Sequence, residues 1–256
     1  EEELRTAMRG DHGLFLHYQP IFDLKTGQVA KLEALLRWQH PEHGLLGPER
    51  FIHIAEANDL IAELDNWVLR KACHDMAALT ALGWTDISVA VNCSALNLVR
   101  EALGDEVESA LRSSGLSANR LELEVTENAL MGNISNTSHL LRHIRSLGVS
   151  LSIDDFGTGY SSLAYLKRLP LNTLKIDRSF IQDIPNSSQD MEIVQAIIVM
   201  AHTLHLQVVT EGVETHQQFA FLNQYNCDFI QGHLLSHPVP FEALHSLLQA
   251  LNTSPL

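Results

Sequence analysis

Oxygen-bearing side chains stand at the ends of several short apolar runs in this chain. Side chains two residues apart in a strand point to the same face. In the run that ends at Asn92, two valines oppose the asparagine, and in the run that ends at Asp154, Leu151 and Ile153 oppose the aspartate. Sorting every such run in this way predicts one convergent polar set: Glu33, Asn92, Glu124, Asp154, Asp155, Lys175, Asp177, Glu211 and Gln231.

The composition of this set indicates hard divalent cations. Five or more carboxylates in one place cannot all stay ionised without positive charge nearby. Oxygen ligands from Asp, Glu and Asn suit Mg²⁺ or Mn²⁺. The 3 cysteines are too few and too scattered for a disulfide framework or a thiolate metal site.

The elements that must position these residues alternate along the chain. Alternating strands and helices indicate parallel βαβ units, and eight strands in 256 residues match an α/β fold of the (β/α)8, or TIM, barrel type. The loop Asp23–Gln28 is too short for a helical crossover, so we expect one of the first two strands to run antiparallel to its partner. The predicted strands are Phe15–Phe22, Val29–Leu36, Ile87–Asn92, Leu121–Val125, Val149–Asp154, Thr173–Asp177, Gln207–Glu211 and Asp228–Gln231. The predicted helices are Glu63–Leu82, Leu96–Ser113, Ile134–Leu147, Ser161–Arg168, Met191–Leu204, His216–Tyr225 and Phe241–Leu251.

Composition and charge narrow the class of protein. The formal charge is −14, which argues against a broad grip on a polymeric nucleic acid or an anionic bilayer. The acidic excess is either a solvated surface or, in part, a set of carboxylates that holds cations. No apolar run reaches the ~18 residues of a membrane span. We therefore expect one cytoplasmic domain over residues 1–256, or the cytoplasmic module of a membrane-anchored protein, with residues 1–12 as a linker or an incoming helix from a longer chain.

An ordered series of motifs resembles a known family. Glu33-Ala34-Leu35 alone is uninformative, but it is followed by one further motif for almost every predicted strand end. The set is similar to the EAL domain family, bacterial phosphodiesterases that linearise cyclic di-GMP. The other matching segments are Tyr18–Ile21, Val91–Ser94, Leu121–Glu127, Asp154–Leu163, Leu174–Asp177, Thr210–Thr215 and Gln231-Gly232.

The resemblance implies a modified TIM barrel with an antiparallel first strand and a site for two Mg²⁺ or Mn²⁺ ions. By position, Glu33, Asn92, Glu124 and Asp154 are similar to ligands of the first ion. Asp154 would bridge to a second ion that also involves Asp155, with Glu211 close by. The resemblance implies hydrolysis of one phosphodiester bond to linear pGpG, with inhibition by Ca²⁺. Glu211, Lys175 and Asp155 are the implied catalytic residues. We favour Lys175 as an electrostatic group over a proton acceptor, and a structural ion pair with Asp177 is compatible with both roles.

The same resemblance extends to substrate and loop residues. Arg37 lies four residues beyond Glu33 on the same strand face, about 13 Å away, which suits a contact with a large substrate. Glu127 is similar to a family glutamate that anchors the loop after Asp155, and Ser161 or Ser162 is expected to cap the helix that follows. Gln19 and Gln231 are either substrate contacts or satisfied polar core groups. The implied substrate-binding set is Gln19, Arg37, Asp177, Glu214 and Gln231.

Two other functions stay open at this stage. One is a binding-only cyclic di-GMP receptor, against which the intact ligand set argues. The other is a barrel enzyme that abstracts a proton beside a carboxylate, with Lys175 as base. The resemblance also implies a homodimer and a sensor or GGDEF domain in a longer chain, whereas polymeric nucleic acid is not an expected partner. A departure from the family pattern occurs at His233 and in Leu234–Pro238, where aromatic and basic residues are commoner.

Overall fold

The computed structural model describes residues 1–9, 13–132, 134–159 and 163–253. Its helices are α1 Glu2–Arg9, α2 Ile52–Ala57, α3 Ile61–Ala81, α4 Ala102–Ser114, α5 Glu127–Gly132, α6 Ile134–Ser146, α7 Leu163–Leu166, α8 Ser188–Thr203, α9 His216–Gln224 and α10 Phe241–Thr253. Its strands are β1 Leu14–Asp23, β2 Val29–His40, β3 Gly44–Leu46, β4 Ser88–Cys93, β5 Leu121–Thr126, β6 Ser150–Phe156, β7 Thr173–Ile176, β8 Gln207–Thr210, β9 Phe229–Ile230 and β10 Val239–Pro240.

Eight strands close into a barrel. Strands β2, β4, β5, β6, β7, β8 and β9 pair in parallel in that order, and β1 closes the ring between β9 and β2. Strand β1 is antiparallel to both neighbours because the short turn after Asp23 reverses the chain directly into β2. The predicted barrel with an antiparallel first strand is confirmed. Strands β3 and β10 extend the hairpin beyond the barrel.

The strands bury an apolar outer face under the helices and a mixed inner face inside the barrel. Val89 and Val91 of β4 lie in the outer core with the apolar faces of α3 and α4. The inner face holds an apolar cluster of Ile21, Val209 and Phe229. The ammonium group of the buried Lys31 lies 5.0 Å from the centroid of the Phe229 ring. The predicted alternation of side chains therefore places the apolar residues on the outer face, under the helices, and the polar candidate residues on the inner face.

Some boundaries differ from those predicted. Helix α4 begins at Ala102 and not at Leu96, because the preceding segment is folded into turns that Asp65 holds through the backbone N–H and hydroxyl of Ser94. Strands β3 and β10 and helices α2 and α5 were not predicted; each has six residues or fewer, too short for a periodic pattern.

The N-terminal helix α1 packs on the barrel. Its residues Leu4, Ala7 and Met8 are buried in the main core. No helix within the described ranges is both long and apolar enough to cross a membrane.

Candidate active site

Strand register brings the predicted side chains together at one end of the barrel. Gln19 of β1 lies opposite Glu33 of β2, and Asn92 of β4 lies beside Glu124 of β5. Asp154 stands at the corresponding level of β6, opposite Thr126. The carboxyl ends of the parallel strands meet at this mouth, where barrel proteins hold their functional groups.

Lys175 lies at the centre of four carboxylates. Its side chain is 1% exposed, and its Nζ lies 2.7 Å from Glu211 Oε1 and 2.8 Å from Glu124 Oε2. The same nitrogen is 3.3 Å from Asp154 Oδ1 and 3.8 Å from Glu33 Oε1. One ammonium group thus links side chains from β2, β5, β6 and the end of β8.

Two amide side chains orient Glu33. Asn92 Nδ2 donates to Glu33 Oε1 at 3.0 Å, and Gln231 Nε2 donates to Glu33 Oε2 at 2.6 Å. Gln231 Nε2 also donates to Gln19 Oε1, and Gln19 Nε2 donates to the carbonyl of Ser236. The glutamines therefore have polar partners within the barrel, as expected for satisfied core groups, and they also line the mouth.

The electrostatics show too little positive charge for the carboxylates present. Burial raises the pKa of Glu124 well above its usual range; Lys175 lowers this pKa, and Glu33 and Asp154 raise it further. Burial likewise raises the pKa of Glu211 to about 7, against the lowering effect of Lys175. Burial alone would lower the pKa of Lys175, but Asp154 and the glutamates outweigh it and raise that pKa well above its usual range. Lys175 is therefore a cation here, as the predicted electrostatic role requires.

Glu33 behaves differently from the other two glutamates. Burial favours its neutral form, but Lys175 and the hydrogen bonds from Gln231 and Asn92 outweigh burial and lower its pKa. A carboxylate that stays charged and oriented is a suitable cation ligand.

The segment after β6 places a second aspartate at the mouth. Asp155 has a positive φ of 53°, and its N–H donates to Asp154 Oδ1 at 2.9 Å. Burial and the negative charges of Asp154 and Asp177 raise the pKa of Asp155. A second cation beside this pair would relieve that repulsion.

Glu127 holds the start of the following loop. Its side chain is buried, and its Oε2 accepts a hydrogen bond of 2.8 Å from the N–H of Gly157. This contact is of the kind expected of a loop anchor. The expected cap residues Ser161 and Ser162 lie outside the described residues.

Two predicted substrate residues lie away from the lysine cluster. Arg37 is half-buried, and its Nη1 donates to the carbonyl of Leu36. Burial lowers the pKa of Arg37, while Glu49 and Glu33 raise it. Asp177 caps the turn after β7 by accepting from Ser179 N–H at 3.0 Å. Among the described contacts Lys175 pairs with other carboxylates and not with Asp177, so the expected ion pair between these two residues is not formed.

The mouth opens into a cavity of about 260 Å³. Some of its lining residues were not predicted from the alternation of side chains along the strands. Arg178 and His233 line it together with Glu211 and the predicted residue Glu214. Gly212 has a φ of +71°, and a Cβ there would lie 2.5 Å from Arg178 Cβ, so the arginine packs directly on this glycine. Arg178 lies two residues after the end of β7 and His233 three residues after the end of β9, where the two-residue period of a strand no longer applies.

The donor set fits hard divalent ions chemically. It consists of carboxylate and amide oxygens, and Gln231 Oε1 is buried without a hydrogen-bond partner among the described residues. Within those residues no three His, Cys, Asp or Glu side chains are arranged as a ready metal cage, because the carboxylates converge on Lys175. The surplus of buried carboxylates over ammonium groups is the feature that a cation would balance.

The fold and mouth define a class: a barrel with an antiparallel first strand and a carboxylate-rich mouth centred on one lysine. The family model described as EAL domain matches residues 1–238. The chain belongs to the EAL domain family.

Relatives and solved structures agree with this assignment. The chain is 62% identical over 250 residues to the cyclic di-GMP phosphodiesterase NbdA of Pseudomonas aeruginosa, covering 98% of this chain and 32% of that protein. It is 46% identical to the bifunctional diguanylate cyclase/cyclic di-GMP phosphodiesterase MucR of the same organism, covering 94% of this chain and 35% of that protein. The structure of the PaMucR phosphodiesterase in complex with c-di-GMP superposes with a TM-score of 0.91 at 45% identity, covering 95% of this chain and 98% of that one. The chain thus spans about one third of the length of these two curated relatives.

Proposed function

We propose that this domain hydrolyses one phosphodiester bond of cyclic di-GMP to give linear pGpG in bacterial second-messenger signalling. The observation that carries the proposal is the convergence of Glu33, Glu124, Asp154 and Glu211 on Lys175. It occurs at the barrel mouth of a chain that is 62% identical to a protein named as a cyclic di-GMP phosphodiesterase.

The proposed cofactors are two Mg²⁺ or Mn²⁺ ions. Glu33, Asn92, Glu124 and Asp154 would hold the first, and Asp154, Asp155 and Glu211 the second. When bound, such ions lower the pKa of a coordinated water and stabilise charge on the phosphate and the leaving oxygen. They also explain how an acidic mouth accepts an anionic substrate.

Residues of the chain divide the remaining work. Lys175 Nζ keeps Glu124 and Glu211 in place and supplies positive charge close to the reacting phosphate. Glu211, whose Oε1 lies 2.7 Å from Lys175 Nζ, would be the carboxylate that accepts a proton from water. Glu127 fixes the loop that carries Asp155 through the N–H of Gly157. At the rim, Arg37, Asp177 and Glu214 would contact the substrate, and the unpredicted Arg178 adds a cation to the same cavity.

The proposed partners follow from the shared family. MucR is named as both a cyclase and a phosphodiesterase, which supports a sensor or GGDEF domain in a longer chain. We also propose a homodimer and a cytoplasmic location for this module.

Turnover of cyclic di-GMP tests the function. We expect linear pGpG with Mg²⁺ or Mn²⁺, no product after EDTA treatment, and no product with Ca²⁺. Glu33→Ala should lose nearly all turnover while the circular dichroism spectrum is retained, because Glu33 lies at the mouth and not in the packed outer layer. Binding of cyclic di-GMP without product would instead identify a receptor, and normal rates in Glu33→Ala would refute the assigned site.

A further inference from the structure

An aspartate near the start of α3 holds the chain just beyond Asn92. Asp65 Oδ2 accepts hydrogen bonds from the Ser94 N–H at 2.9 Å and from the Ser94 hydroxyl at 2.6 Å. The same oxygen accepts from Asn97 Nδ2 at 3.2 Å. Three donors from one turn therefore meet a single carboxylate oxygen, and that oxygen belongs to a helix and not to the turn itself.

Strand pairing leaves the end of β4 dependent on this contact. Within the described residues β4 pairs with β2 as far as Val91, opposite Ala34, so Asn92 lies beyond the last pair on that side. On its other side Asn92 lies opposite Glu124 of β5. One neighbouring strand thus holds the backbone at Asn92, and Asp65 supplies the next tie two residues further on.

The turn after β4 is packed and hydrogen-bonded within itself. The N–H groups of Asn97 and Leu98 donate to the carbonyl of Ser94. Asn97 is 1% exposed and Leu98 is 2% exposed, so both side chains are fixed in the interior. Because the turn is rigid, a change at Asp65 should move it as a unit and displace Asn92 with it.

Asn92 connects this turn to the proposed first cation site. Its side chain is exposed at the mouth, and its Nδ2 donates to Glu33 Oε1 at 3.0 Å. Among the described hydrogen bonds none occupies Asn92 Oδ1, so the amide oxygen is the atom that can contact a cation. A displaced turn would move this oxygen away from the Glu33 carboxylate. Loss of an outer contact that orients a ligand typically weakens metal binding by about 10- to 100-fold.

We propose that Asp65 is a positioning residue for the first cation site, which it supports by fixing Ser94 and thereby the amide oxygen of Asn92 beside Glu33. This inference rests on the proposed function, which assigns that site, and adds to it a residue of α3 that acts through Asn92. The effect runs through hydrogen bonds, so an acceptor oxygen at position 65 is required and its negative charge is not.

Binding of Mn²⁺ without substrate tests the proposal. The EPR signal of unbound Mn²⁺ gives the affinity of EDTA-treated, dialysed protein. We expect Asp65→Ala to weaken Mn²⁺ binding about tenfold, and Asp65→Asn, which keeps an acceptor oxygen, to stay within about threefold of wild type. Equal losses in the two variants would overturn the proposal, because they would show that the charge of Asp65 attracts the ion.

A second aspartate of α3 provides the matched control. Asp75 lies about 15 Å further along the helix. It accepts from the Tyr18 hydroxyl at 2.7 Å and from Lys71 Nζ at 2.6 Å, so it also ties α3 to a barrel strand. Asp75→Ala should lower Tm in EDTA but bind Mn²⁺ as wild type does. A lowered Tm with wild-type Mn²⁺ affinity in Asp65→Ala would show a purely structural role and overturn the proposal.

A milder variant decides the question if Asp65→Ala does not fold. Ser94→Ala removes the hydroxyl donor and keeps the backbone N–H, so it should weaken Mn²⁺ binding about two- to threefold. Wild-type affinity in a folded Ser94→Ala would then overturn the positioning role.

Turnover separates this inference from the proposed function. In Asp65→Ala the Mg²⁺ concentration for half-maximal rate should rise about tenfold, while kcat at saturating Mg²⁺ stays within about threefold of wild type. If wild type hydrolyses cyclic di-GMP and Asp65→Ala binds Mn²⁺ equally well, the positioning role is wrong and the function stands. If wild type binds Mn²⁺ more tightly than Asp65→Ala but hydrolyses nothing, the positioning role stands and the phosphodiesterase assignment fails. If wild type binds no Mn²⁺, the cation site and the positioning role are both overturned.

Discussion

At the scale of single residues, Lys175 is the group on which the site depends most. It is buried with four carboxylates around it, whereas the second buried lysine, Lys31, pairs with Glu122 at 2.6 Å deeper in the barrel and also donates to Thr173. Both are buried ammonium groups in ion pairs, but only Lys175 lies at the mouth. The chain therefore contains its own control for the effect of removing a buried cation.

We expect Lys175→Met to lower kcat by more than about 100-fold, because the variant loses the positive charge beside the reacting phosphate. The double variant Lys31→Met/Glu122→Leu replaces a whole buried ion pair by apolar groups, a change that is often neutral for stability. Its kcat should stay within about threefold of wild type. Steady-state assays at saturating Mg²⁺ check both, and equal losses of activity in the two proteins would contradict the special position of Lys175.

The alternation of side chains along the strands predicted the residues around Lys175 but not all the residues that line the cavity at the mouth. Glu33, Asn92, Glu124 and Asp154 could be identified because each lies on the polar face of a strand whose apolar face is evident in the sequence. Arg178 and His233 could not, because their positions depend on turns packed against Gly212 and Val213. Those packing contacts join distant parts of the chain and leave no local pattern.

At the scale of elements, the turn at residues 94–100 depends on an aspartate from α3. Asp65 Oδ2 accepts from Ser94 N–H at 2.9 Å, from the Ser94 hydroxyl at 2.6 Å and from Asn97 Nδ2 at 3.2 Å. Burial nevertheless raises the pKa of Asp65 from 3.8 to about 6, because it outweighs these hydrogen bonds. The link between β4 and α4 therefore contains a carboxylate that is costly to ionise.

This raised pKa predicts a direction of pH dependence. A carboxyl group with a folded pKa above its unfolded value stabilises the fold fully below about pH 4, and the contribution is lost as the pH rises through about 6. The loss amounts to at most about 3 kcal/mol. Asp65→Asn cannot ionise, so the free energy of unfolding should fall less between pH 4 and 7 in this variant than in wild type. Urea unfolding across that range measures the difference, with the exposed Asp105→Asn of α4 as control; parallel profiles for wild type and Asp65→Asn would refute it.

A second element-scale prediction concerns the close approach of two backbones at Gly232. Gly232→Ala would force the turn after β9 away from Val213 and displace Gln231 from Glu33. We expect a loss of about 1–3 kcal/mol in unfolding free energy and at least a tenfold loss of kcat. Gly115→Ala at the end of α4 has a φ of +72° but open space around it, so it should cost about 1–2 kcal/mol and leave kcat unchanged. Thermal unfolding and turnover of both variants decide; an active Gly232→Ala would show that the approach is not functional.

Element type was predictable where the period was sustained. The barrel strands and α3, α6, α8, α9 and α10 were found within a few residues of their observed bounds, since each has a buried face that repeats along the chain. The start of α4 was wrong because the Asp65 contacts override a helical pattern with tertiary hydrogen bonds. Local periodicity cannot show such a contact.

At the scale of the whole molecule, the net charge of −14 is partly concentrated at one end of the barrel. Among the described residues, four carboxylates at the mouth surround the single ammonium group of Lys175: those of Glu33, Glu124, Asp154 and Glu211. Burial and, to a lesser extent, the charges of neighbouring carboxylates raise the pKa of Glu124 and of Glu211, a cost that the folded state carries in the absence of a cation. Divalent ions that bind the folded state should therefore stabilise the entire domain.

This linkage gives a test of metal binding that does not depend on turnover. At an ion concentration of 100 times Kd, binding adds about 2.7 kcal/mol to the free energy of unfolding. For a domain of this size the midpoint Tm should then rise by roughly 5–10 °C. Mg²⁺, Mn²⁺ and Ca²⁺ should all raise Tm after EDTA treatment, although only the first two should support hydrolysis.

Matched variants localise the stabilisation. Glu33→Ala should abolish most of the rise in Tm, because it removes a carboxylate that the amides of Asn92 and Gln231 hold ready at the mouth. The double variant Lys31→Met/Glu122→Leu should retain the full rise, since that pair lies inside the barrel away from the mouth. An equal rise in wild type and Glu33→Ala would place the ions elsewhere on the acidic surface, and no rise in wild type would remove the two-cation site while leaving Lys175 as the cation of the mouth.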